Sequence, residues 1–256
     1  MKIIYYADLS GSKAWGFLNE AHVFPLLTSP YTKPLQWSDA YLNIDDVTLL
    51  APCQPSKIVC VGLNYHDHAV EMKLPLPKEP LLFLKPPSSL IGPGDAIISP
   101  RQTNNLHYEA ELAIVIGQRA KHATLEQASA AILGYTCAND VTARDLQFKD
   151  GQWTRGKSFD TFLPLGPWIE TEIDTSQLTI SLLLNQTMRQ QSNTKNLIFS
   201  PQQLVSYISQ IMTLEAGDLI LTGTPAGVGA MQIGDCVEVC IDGIGCLKNI
   251  VAQQEG

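Results

Sequence analysis

The chain has 256 residues, 17 Lys and Arg against 25 Asp and Glu, a formal net charge of −8, and 45% hydrophobic against 16% charged residues. At 28.0 kDa and a pI near 5.0, it is long enough to bury about three quarters of its extended surface, so the core needs no staples. An acidic balance without a Lys/Arg run argues against nucleic acid and membrane as partners, because anionic surfaces are bound through phosphate neutralisation.

Met1 to Gly11 carries one Lys, a short apolar run and an early Asp8, which fits neither a signal peptide nor a transit peptide. Residues 2–27 read as short strands, IIYYADL, AWGFL and AHVFPLL, with turns at Gly11-Ser12 and Asn19-Glu20. They predict a small β-rich N-terminal domain over 1–52. A proline-containing junction, Pro52 to Pro55, precedes the buried-strand run KIVCVGL, and 53–256 is expected to form a second, larger domain. Further strands are predicted in LLFL (81–84), YEAELAIVIG (108–117), TISLLLN (179–185), DLILTG (218–223) and CVEVCI (236–241), the last turning at Asp242-Gly243. Two helices carry start signals. Thr124 and Gln127 form a capping box before LEQASAAIL, which runs to Gly134. Ser200-Pro201 with Gln203 does the same before LVSYISQIM, whose Leu204, Val205, Ile208, Ile211 and Met212 form one apolar stripe. Strands outnumber helices and do not alternate with them, so the expected class is α+β and mainly β. The longest uncharged stretch, Asn196 to Leu214, is too rich in Ser and Gln to span a membrane. The six cysteines lack a Cys-x-x-Cys pair, and are read as reduced thiols of a cytoplasmic protein.

Chemistry concentrates in four places. In His107-Tyr108-Glu109-Ala110-Glu111-Leu112, a strand puts Glu109 and Glu111 on one face and Ala110, Leu112, Ile114 and Ile116 on the other. Two carboxylates that close repel unless a cation neutralises them; the alternative is a solvated edge face. Asp140, ending the apolar run GYTCAND, adds a third acid. Three carboxylates without Cys suit a hard cation with oxygen ligands, Mg²⁺ or Mn²⁺. His68 and Glu71 stand three residues apart, as neighbours on one helical turn. A carboxylate beside imidazole fixes its tautomer and raises its basicity, as a general base requires; a surface pair formed by chance has the same spacing. Positive charge would come from Lys85, Arg144 and Lys157. The loop TGTPAGVG (222–229) has neither a phosphate-loop ending nor a dinucleotide fingerprint.

In order, the segments VGLNYHDHAVEM, LFLKP, HYEAELAIVIG, ANDVTARDLQ, RGKSFD and LTGTPAGVG resemble the fumarylacetoacetate hydrolase family, in particular its short acylpyruvase and oxaloacetate decarboxylase members. The resemblance implies a mixed β-sandwich roll, a homodimer, and Mg²⁺ or Mn²⁺ as cofactor, with 53–256 as the catalytic domain. It further implies that Glu109, Glu111 and Asp140 hold the metal. His68 and Glu71 would activate water from a mobile lid, Lys157 would act in catalysis, and Gln147, Thr224, Lys85 and Arg144 would contact the substrate. The implied activity is metal-dependent cleavage of a carbon-carbon bond in a small anionic 2-oxo or 1,3-diketo acid, by acylpyruvate hydrolysis or oxaloacetate decarboxylation through a pyruvate enolate. The alternatives are a tautomerase or isomerase of oxaloacetate or 2-hydroxyhepta-2,4-diene-1,7-dioate, and a non-catalytic 2-oxo-acid binding protein.

Overall fold

The computed structural model describes residues 1–254; the last two residues of the expected second domain lie outside the described residues. β1 (Lys2–Asp8), β2 (Lys13–Asn19), β3 (His22–Pro25) and β4 (Leu42–Asn43) form an antiparallel meander, and β5 (Val47–Leu50) returns to pair with β1. β6 (Ile58–Gly62), α1 (His66–Met72) and β7 (Leu81–Lys85) follow, with β6 and β7 paired antiparallel. Next come β8 (Leu90–Ile91), β9 (Ala96–Ser99), β10 (Leu106–Tyr108) and β11 (Ala110–Ile116). α2 (Leu125–Ala131) leads directly into β12 (Ile132–Asn139), which is followed by β13 (Thr142–Ala143), α3 (Arg144–Asp150), α4 (Thr154–Lys157) and β14 (Leu163–Glu170). The remainder is β15 (Thr179–Leu184), β16 (Thr187–Asn193), α5 (Pro201–Ile211), β17 (Leu219–Leu221), β18 (Gly229–Ala230), β19 (Cys236–Ile241) and β20 (Gly245–Gln253).

The fold is mainly β, as expected, and its sheets mix parallel and antiparallel pairs. The largest runs β4-β3-β2-β1-β14-β12-β11-β17-β6-β7, so the N-terminal meander joins the rest through the β1–β14 pairing. A second sheet runs β16-β15-β19-β20-β9, and a small third one is β13-β10-β18. β11 is buried along its whole length because both of its faces are covered. Leu112, Ile114 and Ile116 pack with Leu182 of β15, Val239 of β19 and Leu204 and Ile208 of α5, while Ala113 and Val115 pack with Ile3, Ile58 and Leu219. Each large aliphatic side chain fully buried there stabilises the fold by about 1.5–3 kcal/mol. Glu111 thus sits at one end of a strand that is buried along its whole length.

Both capping boxes form: Thr124 Oγ1 accepts from the Gln127 amide at 3.3 Å and Ser200 Oγ from the Gln203 amide at 3.3 Å. Two details of these helices differ from expectation. α2 stops at Ala131, and Ile132 to Gly134 pass into β12, because Ile132 pairs with Ile116 of β11 and Gly134 with Val115. On α5, Leu204, Val205 and Ile208 are buried as the stripe predicts, but Ile211 in the last turn is 57% exposed. The reading of six reduced thiols is corrected at one pair. Cys240 and Cys246 face each other across the β19–β20 hairpin, with Cα atoms 4.1 Å apart, and are joined by a disulfide. Cys53, Cys60, Cys137 and Cys236 are free. Among the described residues no helix is long and apolar enough to cross a membrane.

Candidate active site

The predicted strand over 108–117 is broken at Glu109, where the chain passes from the small sheet, in β10, to the large one, in β11. Side chains and a neighbouring turn satisfy the backbone at that break. Asn139 Oδ1 accepts from the Glu109 amide at 2.9 Å, Gln190 Oε1 accepts from the Ala110 amide at 2.9 Å, and the Glu109 carbonyl accepts from the Asp140 amide at 2.9 Å. The last bond brings the end of β12 against the start of β11. Glu109, Glu111 and Asp140 are thereby drawn together, each no more than 6% exposed, with one oxygen from each within 4.8 Å of the others.

Cations are built in around them. Lys157, at the end of α4, places its Nζ 2.8 Å from Glu109 Oε2 and 2.6 Å from Asp140 Oδ2. Lys85, the last residue of β7, donates to Asp140 Oδ1 at 2.7 Å and to the Val141 carbonyl at 3.1 Å. Arg144 opens α3 and donates to Glu109 Oε1, and its other Nη donates to Gln147 Oε1 at 2.7 Å, one turn along the helix. Among the described residues Glu111 has no cation paired with it and accepts only from the Gly223 amide, at 2.6 Å. Gly223 has a φ of +96°, and a Cβ there would lie 2.8 Å from the Asn64 side chain, so this close backbone approach requires glycine.

The three acids therefore differ in character. Burial pushes the Glu109 carboxyl up, but the Lys157 and Arg144 charges outweigh it and hold the group at about 2. Burial, then Asp140 and then Glu109, push Glu111 well above the ordinary glutamate range. Burial opposes the charge on Lys157, yet Asp140 and Glu109 keep it an ammonium, above the ordinary lysine range. The donor set fits a hard divalent cation: three converging carboxylates, no sulfur and no imidazole, with Glu111 buried beside two other acids and faced by no ammonium of its own.

Opposite the acids stands α1. His68 Nδ1 lies 2.8 Å from Glu71 Oε2, and Glu71 Oε1 accepts from the Gly227 amide at 3.0 Å. A carboxylate oxygen only accepts, so Nδ1 carries the hydrogen, and in the neutral ring Nε2 keeps its lone pair. His68, Glu109, Glu111, Asp140, Arg144, Gln147, Lys157 and Thr224 all line one cavity of about 140 Å³. Its other wall is apolar, formed by Val61, Leu63, Met72, Leu74, Phe83, Phe148 and Trp153. Two of the sequence-predicted residues lie behind this lining: Glu71 backs His68, and Lys85 is fully buried on the far side of Asp140.

Three residues that sequence reasoning missed assemble the site. Asn64 is fully buried and donates to the Phe199 carbonyl at 3.1 Å and the Thr222 carbonyl at 2.8 Å, while its Oδ1 accepts from the Phe199 amide at 2.8 Å. Gln190 donates to Thr224 Oγ1 and to the Pro225 carbonyl, both at 2.9 Å, besides accepting from Ala110. Asn139 braces Glu109. Asn64 and Asn139 do stand inside the motifs NYHDH and AND, but Gln190 lies in a polar strand with no signal of its own.

The family model for the C-terminal domain of fumarylacetoacetate hydrolase matches residues 57–252. The solved structure of 2-hydroxyhepta-2,4-diene-1,7-dioate isomerase from Mycobacterium marinum is similar over 100% of both chains, with a TM-score of 0.92 and 40% identity. Maleylpyruvate hydrolase from Sphingobium sp. SYK-6, solved with manganese(II) and pyruvate, is similar over 100% of both chains, with a TM-score of 0.82 and 28% identity. A mitochondrial oxaloacetate tautomerase of Xenopus laevis is 43% identical over 223 residues, 82% of this chain and 70% of its own length. The matched region holds all of the converging acids, their cations and the histidine–glutamate pair, and the chain belongs to the fumarylacetoacetate hydrolase family of enzymes.

Proposed function

We propose that this chain is a keto–enol tautomerase of a small 2-oxo acid of the oxaloacetate type. The observation that carries the reading is the imidazole of His68, backed by Glu71, in the same small cavity as three carboxylates and the Lys157 ammonium. The similarity to an oxaloacetate tautomerase and to a dienoate isomerase supports it.

Glu109, Glu111 and Asp140 would hold Mg²⁺ or Mn²⁺, which when bound supplies Lewis acidity towards carboxylate and carbonyl oxygens. His68 Nε2 takes the proton from the carbon next to the ketone, and Glu71 stabilises the imidazolium that forms. Lys157 faces the oxyanion that develops as that proton leaves, a charge that its fixed ammonium is already oriented to meet. The imidazolium passes its proton to that oxygen to give the enol, which restores the neutral ring, and the reverse order gives the ketone. Thr224 and Gln147 orient the acid by hydrogen bonds, and the apolar wall keeps bulk water from the enolate.

The same groups support a second reading, hydrolysis of an acylpyruvate or decarboxylation of oxaloacetate, favoured by the maleylpyruvate hydrolase likeness. In the hydrolysis His68 would take its proton from water, whereas loss of CO₂ from oxaloacetate gives the enolate without water and needs no such base. Assays with oxaloacetate and acetylpyruvate under Mg²⁺ separate the readings. Tautomerisation is expected to speed the loss of enol ultraviolet absorbance without release of pyruvate. Release of pyruvate in step with substrate consumption would overturn it in favour of bond cleavage, and oxalate binding without turnover of any substrate would leave a binding protein.

A further inference from the structure

The proposed base stands on a helix that cannot hold itself in place. α1 has seven residues, and Tyr65 at its N-cap makes no side-chain capping bond. An isolated helix of fewer than about 12 residues is marginal in water, so contacts from elsewhere must set its position. Besides the burial of Ala69, polar contacts hold it at both ends. At the far end, Glu71 accepts from the Gly227 amide. Gly227 has a φ of +96°, and a Cβ there would come within 2.5 Å of the Arg189 carbonyl oxygen, so only glycine brings this amide to Glu71.

At the near end stands Asp67, for which the mechanism above has no use. Its Oδ1 accepts from the His68 amide at 2.8 Å, and its Oδ2 accepts from the hydroxyl of Ser192 on β16. Asn196 donates to that same hydroxyl oxygen at 3.2 Å. Neither Asp67 nor Ser192 lines the cavity. One carboxylate therefore joins the backbone of the proposed base to a strand of the second sheet.

We infer that Asp67 is a positioning residue: its bond to Ser192 fixes α1 so that His68 faces the carboxylate cluster. The inference rests on the reading of His68 as the base. The test is a cycle of Asp67→Ala, Ser192→Ala and the double variant, with Ser192→Thr as the conservative replacement. Displacing a catalytic group slightly costs up to about 100-fold, so each single variant is expected to lose about ten- to a hundredfold in kcat. The double variant should be no worse than the poorer single one, because both remove the same bond. Oxalate affinity in the presence of Mg²⁺ should stay within about twofold of wild type, since the carboxylate floor is not touched, and Ser192→Thr should restore kcat. Amide hydrogen exchange should accelerate in residues 66–72 and stay unchanged in β11 and β12.

Unchanged kcat in both single variants would overturn the inference, as would a loss of oxalate affinity or of β11 protection in parallel with kcat. If wild type turns over no 2-oxo acid, the functional reading fails by itself. Exchange in residues 66–72 then decides the positioning role, and unchanged exchange in the variants overturns it.

Discussion

The floor and the roof of this cavity are built by opposite means. The floor is made where β11 and β12 meet, from strands buried on both faces, and its acids are held by a lattice of backbone bonds and desolvated cations. The roof is a seven-residue helix with Val70 78% exposed, held by hydrogen bonds at its two ends. Rigidity below gives electrostatic power, because charges fixed in a dry site need no reorganisation when the reaction demands them. Hydrogen bonds at the two ends above set where the histidine stands. Damage to the floor should abolish binding and turnover together, whereas damage to the roof should remove turnover alone.

The largest effect is expected from Lys157→Met. It removes the ammonium that bridges Glu109 and Asp140, and loss of one such preorganised donor costs roughly 100- to 1,000-fold in kcat. Steady-state kinetics with oxaloacetate checks this, and a loss below about tenfold would take Lys157 out of the chemistry. His68→Ala comes next, with an expected loss of about 100-fold in kcat. In this variant Mg²⁺-dependent oxalate binding by calorimetry should match wild type, and a parallel loss of binding would erase the distinction between floor and roof.

A buried carboxylate outside the cavity sharpens the contrast, because it supports the fold without any chemistry. Asp218 Oδ1 accepts from the Ser56 amide at 3.0 Å, the Ser56 hydroxyl at 2.7 Å and the Lys57 amide at 3.1 Å. Oδ2 accepts from the Glu215 amide at 2.8 Å and pairs with the Lys57 ammonium. Burial pushes this carboxyl up, but Lys57, the Glu215 amide and Ser56 outweigh it and hold the group below the ordinary aspartate range. A depressed folded-state value stabilises the protein above the unfolded value of about 3.9, and that contribution is lost as the pH falls through the folded value. Asp218→Ala should therefore cost about 2–4 kcal/mol near neutral pH, with a difference from wild type that shrinks below about pH 4. Urea melts at both pH values check it, and turnover per folded molecule should be unchanged.

Much of this was legible in the sequence, for identifiable reasons. Apolar runs such as KIVCVGL and LAIVI mark strands covered on both sides, and the boxes at Thr124 and Ser200 name their helix starts. The three acids were legible because charge at the ends of apolar runs is out of place there. The break at Glu109 was not, since it depends on Asn139 and Gln190, which reach it from 30 and 80 residues away. Nor was the end of α2, where strand pairing overrides a helical pattern, nor the bond between Cys240 and Cys246, which follows from register across a hairpin. The motifs did separate Lys157, which faces the cavity, from Lys85, but they did not show that Lys85 braces Asp140 from behind the lining.

On the proposed reading, a divalent-cation site formed by Glu109, Glu111 and Asp140 creates the affinity for a 2-oxo acid. Its most direct test is calorimetric titration of oxalate into wild type and Glu111→Gln, each with Mg²⁺ and with EDTA. Wild type should bind oxalate only with Mg²⁺, and Glu111→Gln should lose at least about 100-fold in Mg²⁺-dependent affinity, as befits removal of one of three protein ligands. Equal oxalate binding in EDTA, or full Mg²⁺-dependent affinity in Glu111→Gln, would contradict the account.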